Sequence, residues 1–443
     1  MSNTTSETAT LQRTLGLGAV VLTGVAYMAP MIVLGTFGVV AKASNGTVPT
    51  AYIVTLIAML FTAYSYGRMA SAYPVSGSAY TYVGKGIGRR FGFMAGWLIL
   101  LDYFFLPLVI WLIGASFLSS EFPSVPMGVW IVAYIVLTTT LNIIGIKVAT
   151  SVNSVLMAFQ VLVLIFFVAL SAAHFFGATT GASALTPFFN SHTTLTAISA
   201  GAALAAYSFI GFDAVTTLTE ETVNPRRNIP RAVIITALIG GVVFIITSYT
   251  VELAHPGTQF KHTDSAAFEI AMTIGGNLFA SVFIAGMIVT QFASGIAAQA
   301  TASRLLYAMG RDGVLPRRVF AYIAPRLHTP VFGVALIGLV GLAALFMSVS
   351  TSTSFINFGA FSAFTLVNLS VIVHFLRNRE NSGNAFGWFI APLLGAAIDA
   401  YLLFSLDTPA HVIGGIWLVL GLGMLTWLTR GFKQPPPEMY IEE

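Results

Sequence analysis

Long apolar runs recur along the whole chain and are separated by short polar segments. A run of about 18 or more apolar residues is long enough to cross a bilayer as a helix. The runs lie near residues 15–40, 51–70, 92–118, 127–144, 153–175, 194–219, 232–253, 274–304, 331–348, 353–375, 388–405 and 411–429. The pattern therefore predicts an all-α integral membrane protein with twelve transmembrane helices.

The composition supports the same class. Hydrophobic residues make up 56% of the 443 residues and charged residues 8%, whereas soluble domains carry about 25% charged residues. The chain has no cysteine, which excludes disulfides and thiolate metal sites. The first ten residues, MSNTTSETAT, have neither a basic segment nor a small-residue cleavage site, so we expect no removable signal peptide.

The basic residues are distributed unevenly about the predicted spans. Seventeen of the 20 Lys and Arg residues lie on one side, the opposite side holds only Lys42 and Lys261, and Lys147 begins the fifth span. Cytoplasmic loops carry an excess of Lys and Arg, so the pattern predicts that both termini are cytoplasmic. The basic pI of about 9.2 then reflects topology, and we expect a lipid bilayer around the protein and no nucleic acid partner.

The first predicted span contains the stretch GVAYMAPM (24–31). Pro30 has no backbone N–H and its ring clashes with the preceding turn, so the helix should break just before it. Gly24 and Gly35 weaken the helix on either side. The alternative is a kinked helix that serves only packing.

The sixth predicted span contains a second interruption. Gly211 lies between two phenylalanines, and Asp213 follows within the apolar stretch SFIGFD. A carboxylate inside the bilayer costs about 2.5–3.5 kcal/mol even on the lenient insertion scale, which suggests a function. The alternative is that Asp213 caps the second half of a broken helix, and the two roles are compatible.

The two interruptions are five spans apart, in the first and sixth helices. Discontinuous helices at matching positions of two halves indicate a secondary transporter with an inverted repeat. We therefore predict a cytoplasmic segment 1–14, a transport core 15–375 built from repeats at about 15–175 and 194–375, two further helices at 388–429, and a cytoplasmic tail 430–443. The chain has no HExxH, GxSxG or nucleotide fingerprint and no His/Asp cluster at metal spacing, so we expect no enzyme, metal or cofactor.

Three motifs resemble those of the amino acid-polyamine-organocation (APC) superfamily of permeases. They are YPVSGSAYTY (73–82), SFIGFDAVTTLTEETVNPRRNIPRA (208–232) and SRLLYAMGRDGVLP (303–316). AYMAPM, GFDAVTTLTEE, GWLILLDYFFLP (96–107) and INFGAFSAFTLVNLSV (356–371) are similar more narrowly to the bacterial putrescine importers. The resemblance implies a LeuT-type fold with a 5+5 inverted repeat, alternating access, and proton-driven uptake of a small amine or amino acid.

The first break favours a cationic substrate over a carboxylate. Pro30 removes one backbone donor where an α-carboxylate would need N–H groups, whereas Asp102 and Asp213 could each pair with an ammonium group and nearby rings could contact it. Asp102 has an alternative role as a polar partner for a neighbouring helix, and the aromatic residues have an alternative role in packing. By resemblance Tyr207 covers the substrate and Ser294 lines the site. The predicted substrate-binding residues are Tyr27, Met28, Ala29, Pro30, Asp102, Tyr103, Tyr207, Phe209, Ile210, Gly211, Phe212, Asp213 and Ser294.

Lys147 is the predicted proton-coupling residue. It departs from the putrescine-importer pattern and matches a lysine that, in sodium-independent permeases of the superfamily, takes the place of a sodium ion. The alternative is that Lys147 extends to the cytoplasmic interface. Glu220 and Glu221 are a possible inner gate, or else solvated charges at a helix end.

Other polar residues of the later spans are interpreted as interface residues. These are Glu252, His374, Asp399 and Asp407.

Together these patterns predict a proton-coupled importer of a small organic amine, such as a putrescine-like polyamine, in the bacterial inner membrane. One alternative is a sodium-independent amino-acid importer or exchanger. A transport-fold receptor or a channel is the alternative outside transport, but there is no output domain and no polar stripe along several helices. The oligomeric state is left open.

Overall fold

The computed structural model describes most of the chain, and its described part is almost entirely helical. The prediction of an all-α membrane protein is confirmed. The only pairing of extended backbone in this part is a bridge between Leu15 and Thr222. The described residues are 13–75, 78–144, 150–177, 183–311, 313–325, 327, 329–378 and 385–436.

Fifteen α-helices follow one another in the described residues, with short 3₁₀ and π segments between them. They are α1 Leu17–Tyr27, α2 Ile32–Ala43, α3 Val48–Ala72, α4 Ser78–Gly86, α5 Arg89–Glu121, α6 Met127–Ile144, α7 Thr150–Gly177, α8 Leu195–Ala205, α9 Pro225–Ala254, α10 Ala266–Arg311, α11 Arg317–Phe320, α12 Val331–Gly341, α13 Val349–Arg377, α14 Ala391–Phe404 and α15 Thr408–Leu428. The 3₁₀ segments are Ala206–Phe209, Asp213–Glu220, Thr263–Ser265 and Leu342–Phe346, and a π segment covers Phe386–Ile390.

Ten helices of this part are long and apolar enough to cross a membrane, and the bent pair α1 and α2 makes eleven if it counts as one span. The ninth predicted span corresponds to a shorter apolar helical segment, Val331–Phe346. The count of twelve spans therefore stays a prediction.

The first apolar run forms two helices. α1 ends at Tyr27, α2 begins at Ile32, and the two are bent by 51°. Ala29 has a positive φ of 46°, a conformation that residues other than glycine rarely adopt. Pro30 follows it and cannot donate the hydrogen bond that would continue α1.

The sixth apolar run also changes conformation in its middle. α8 passes into the 3₁₀ segment Ala206–Phe209, and a second 3₁₀ segment begins at Asp213. Gly211, between them, has a φ of +109°, which favours glycine because it has no Cβ. A Cβ at Gly211 would lie 2.8 Å from Cδ1 of Tyr27. The two irregular stretches therefore touch.

Helices from the two predicted repeats pack directly against each other. α3 packs along α9, and α5 packs along α10. The approach of α3 and α9 is close because a Cβ on Gly67 would lie 3.2 Å from Pro230, and one on Gly241 would overlap Leu56. α3 and α9 are the second spans of the two predicted halves, and the repeat and the domain division stay predictions.

Hydrogen bonds between loops identify the two ends of the bundle. At the N-terminal end, the Leu15 N–H donates to the Glu221 carbonyl at 2.9 Å, and the Val223 N–H donates to the Leu15 carbonyl at 2.9 Å. At the opposite end, the Asn190 amide donates to the Asn45 carbonyl at 2.8 Å. We call these ends the N-terminal end and the opposite end.

Asp399 is not an interface residue, because it is 0% exposed. Its Oδ2 accepts hydrogen bonds from the Thr62 hydroxyl at 2.7 Å and the Asn368 amide at 2.9 Å. These contacts join α3, α13 and α14. Glu252 is also buried, and its surroundings are described below. The interface interpretation of both residues was wrong, because the direction of a side chain depends on how its helix packs and not on its place in the sequence.

Asp399→Ala is expected to lower the melting temperature of the purified protein in detergent. The change leaves the Thr62 and Asn368 donors in the core without their acceptor, and each buried unsatisfied group costs about 1–3 kcal/mol. Asp399→Asn keeps an acceptor oxygen and should melt between wild type and the alanine variant. Equal melting temperatures for all three proteins would show that the contacts add nothing to stability.

Candidate functional site

A small cavity lies where the two irregular stretches meet. Its free volume is about 20 Å³, which is room for about one water molecule. It is therefore contracted in this conformation and must widen to admit an organic molecule. Its lining residues are Tyr27, Ile99, Asp102, Tyr103, Leu106, Ile210, Gly211, Asp213, Ala214, Ala360 and Phe364.

Asp213 begins the 3₁₀ segment that follows Gly211. Its Oδ2 accepts a hydrogen bond from the Ser78 hydroxyl at 3.2 Å, whereas the Ala214 N–H donates to the Gly211 carbonyl at 3.1 Å. A carboxylate in the first turn of a helical segment is favoured by the positive end of the helix dipole. Asp213 thus lines the cavity from the first turn of this segment, and its role in substrate binding stays a prediction.

Asp102 reaches the same cavity from α5. Its Oδ1 is buried and has no hydrogen-bond partner, and it lines the cavity together with Asp213. No Lys, Arg or His of the described chain lines the cavity. Two carboxylates that share a poorly solvated space favour a bound cation or proton.

Aromatic rings surround these carboxylates. Tyr27 and Tyr103 line the cavity, as does Phe364. Phe364 packs against Phe212 with ring centroids 5.4 Å apart, and both rings contact Tyr66 at 6.0 Å. A cation over a desolvated ring gains about 2 kcal/mol, so the wall suits an organic cation.

Six of the residues predicted from the sequence line this cavity. They are Tyr27, Asp102, Tyr103, Ile210, Gly211 and Asp213. The other seven within the described residues do not line it in this conformation: Met28, Ala29, Pro30, Tyr207, Phe209, Phe212 and Ser294.

Two of these seven pack against α9 instead. A Cβ on Gly240 would overlap the Met28 side chain, and Phe209 packs against Phe244 with ring centroids 5.2 Å apart. Phe212 supports the cavity wall through Phe364, and Tyr207 is buried in the core.

Five lining residues were not predicted. Ile99 and Leu106 lie three residues before and four residues after Asp102, and residues at such spacings share one face of a helix. That periodicity was the available signal. Ala214, Ala360 and Phe364 carried no such signal, because small and apolar side chains look like packing residues in any membrane span.

The remaining predicted residues do not line the cavity, or they lie outside the part of the chain that the structure describes. Lys147 lies outside the described residues. Glu220 is exposed, and the Glu221 carbonyl accepts the hydrogen bond from Leu15 at the N-terminal end. The described part of the chain has no group of three His, Cys, Asp or Glu residues that could hold a metal ion.

A bundle of apolar helices with a polar cavity at paired helix interruptions is the arrangement of a membrane transport protein. The sequence profile of the amino acid permease family matches residues 18–402. The chain belongs to this family, and the family resemblance noted from its motifs is confirmed.

The chain is also similar to individual members over most of its length. It is 39% identical to the low-affinity putrescine importer PlaP of Escherichia coli over 435 residues, which are 97% of this chain and 96% of that protein. It is 27% identical to the branched-chain amino acid permease BcaP of Bacillus subtilis over 434 residues, 92% of this chain and 89% of that protein. It is 28% identical to the human cationic amino acid transporter 4 over 407 residues, 86% of this chain and 62% of that protein. These relatives are named as transporters and not as enzymes.

Proposed function

We propose that this protein imports a small organic amine, such as a putrescine-like diamine, across the bacterial inner membrane, and that a proton gradient drives this uptake. The observation that carries the proposal is the pair of carboxylates, Asp102 and Asp213, in a cavity that no basic residue of the described chain lines. The similarity to an importer named for putrescine supports the same substrate class.

A diamine would place one ammonium group at each carboxylate. Asp213 is already held by Ser78, whereas Oδ1 of Asp102 has no partner, so a second cation would satisfy it. Tyr27 and Tyr103 would contact the ammonium groups and the methylene chain between them. The residues outside the lining, including Met28, Ala29, Pro30, Tyr207 and Ser294, remain candidates for contact after the cavity widens.

Transport requires the cavity to open to each side in turn. With both termini in the cytoplasm, the bridge from Leu15 to residues 221–223 closes the cytoplasmic side near the second half of the interrupted helix. Inward opening would separate these strands of backbone. Glu220 and Glu221 belong to the same segment, and we propose that they form part of this inner gate.

Proton coupling is assigned to Lys147 from its position in the sequence. The ammonium group of a lysine that takes the place of a coupling ion would exchange its proton during transport. The same lysine would remove the need for sodium.

Purified protein in liposomes is expected to accumulate labelled putrescine when the proton concentration is higher on the outer side, and not in response to a sodium gradient. The reason is that two carboxylates select a dication and Lys147 replaces sodium. Unlabelled amines and amino acids should be tested as competitors. Competition by zwitterionic amino acids alone would favour the amino-acid importer or exchanger, and a requirement for sodium would remove the role of Lys147.

A further inference from the structure

A larger cavity lies at the opposite end of the bundle. Its volume is about 500 Å³, within the range of about 300–1,000 Å³ that is typical of small-molecule sites. It is separate from the central cavity and shares no lining residue with it. Its lining residues are Asn45, Gly46, Ser183, Thr186, Pro187, Asn190, His192, Glu252, Leu253, Pro256, Gly257 and Thr258.

Glu252 is the only acidic residue in this lining. It lies near the end of α9, is 2% exposed, and its Oε2 is buried without a hydrogen-bond partner. Its Oε1 accepts one hydrogen bond, from the Gly257 N–H at 3.3 Å. A buried carboxylate with one long hydrogen bond is costly unless a cation or further donors compensate its charge.

The wall around Glu252 is held in place by hydrogen bonds between two loops. The Asn190 amide donates to the Asn45 carbonyl at 2.8 Å, and the Asn45 amide donates to the His192 carbonyl at 3.2 Å. Gly46 lies in the loop that follows α2 and is close to the Glu252 carboxylate, because a Cβ at Gly46 would lie 3.2 Å from Oε1 of Glu252. The cavity therefore has a formed wall in this conformation.

The lining suits an ammonium group better than a metal ion. It offers one carboxylate, several neutral amide and hydroxyl oxygens and the imidazole of His192, and no Lys or Arg. Ca²⁺ takes about 6–8 oxygen ligands and usually more than one carboxylate. An ammonium group needs one carboxylate and a few neutral acceptors.

We propose that this cavity is a second binding site for the amine substrate, where Glu252 holds one ammonium group before the molecule reaches the central cavity. The proposal rests on the proposed function and on the orientation that places this end outside the cell. It assigns a role to a buried carboxylate that the central site does not use.

The test is the number of labelled putrescine molecules bound per chain by the purified protein at saturation, together with uptake kinetics in liposomes. Wild type is expected to bind two molecules per chain. Glu252→Gln should bind one, and its uptake KM should rise at least about tenfold with little change in maximal rate, since a buried charge partner is lost. Glu252→Asp keeps the charge and should retain part of the second binding event.

Glu269→Gln is the matched control. Glu269 lies at the same end of the bundle, but its oxygens already accept the Lys261 and His262 backbone N–H groups at 3.1 and 2.8 Å. This variant loses one of these two hydrogen bonds, because glutamine has a single acceptor oxygen, but it should bind two molecules and have the uptake KM of wild type. One bound molecule in both wild type and Glu252→Gln, with equal KM values, would overturn the second site and leave the proposed function standing. Absence of binding to wild type would overturn both.

Discussion

Asp213→Asn is expected to reduce uptake of labelled putrescine by at least about 100-fold. The asparagine keeps the size of the side chain and can still accept a hydrogen bond from Ser78, so the local structure should persist. It removes the negative charge that would pair with an ammonium group, and loss of one partner of a buried charge pair costs about 3–5 kcal/mol. The measurement is initial uptake into liposomes at a substrate concentration below KM.

Two further variants make this result specific. Asp407→Asn is the control for charge removal, because Asp407 caps α15 through the Ala410 N–H at 3.2 Å and asparagine is an equally good cap. It should transport normally.

Asp102→Asn should reduce uptake of the diamine but should leave competition by a simple monoamine unchanged, since one carboxylate is enough for one ammonium group. Wild-type uptake by the Asp213 variant would remove this residue from the site.

Gly211→Ala is expected to lower uptake at least about tenfold while the protein still folds. Its φ of +109° is strained for any residue with a Cβ, at a cost of about 1–3 kcal/mol. The added Cβ would also lie 2.8 Å from Cδ1 of Tyr27. Both effects displace the wall of the central cavity, so uptake and putrescine binding should fall together.

Gly313→Ala separates strain from contact. Gly313 also has a positive φ, of 78°, but a Cβ there would have no atom within 4 Å. This variant should carry backbone strain at a position that does not line the cavity, and it should transport like wild type. If both alanine variants lost uptake equally, backbone strain in general would explain the result and the contact with Tyr27 would not.

Much of the central site was accessible from the sequence because its elements break local rules. Pro30 and Gly211 interrupt apolar runs, and the structure has irregular backbone at both stretches. Asp102 and Asp213 were notable because charge within a membrane span is costly. Their presence in one cavity depends on how α5 packs beside the interrupted helices, which no local pattern specifies.

The same limit explains the residues that the sequence misjudged. Met28 and Phe209 are next to the interruptions in the chain, yet they pack against α9. Ala360 and Phe364 are distant in sequence, yet they line the cavity. A residue next to an interruption in the sequence lies near the cavity. Whether its side chain points into the cavity depends on the rotation of its helix.

The sequence alone determined the class of the protein and indicated two stretches, around Pro30 and Gly211, at which the backbone is irregular, together with acidic residues near them. These follow from composition, from proline and glycine geometry and from the cost of charge in lipid, which are properties of single residues and short segments. Only the tertiary structure decided which side chains share a cavity, that Asp399 and Glu252 are buried, and that a second cavity surrounds Glu252. Those outcomes depend on contacts between helices and loops far apart in the chain.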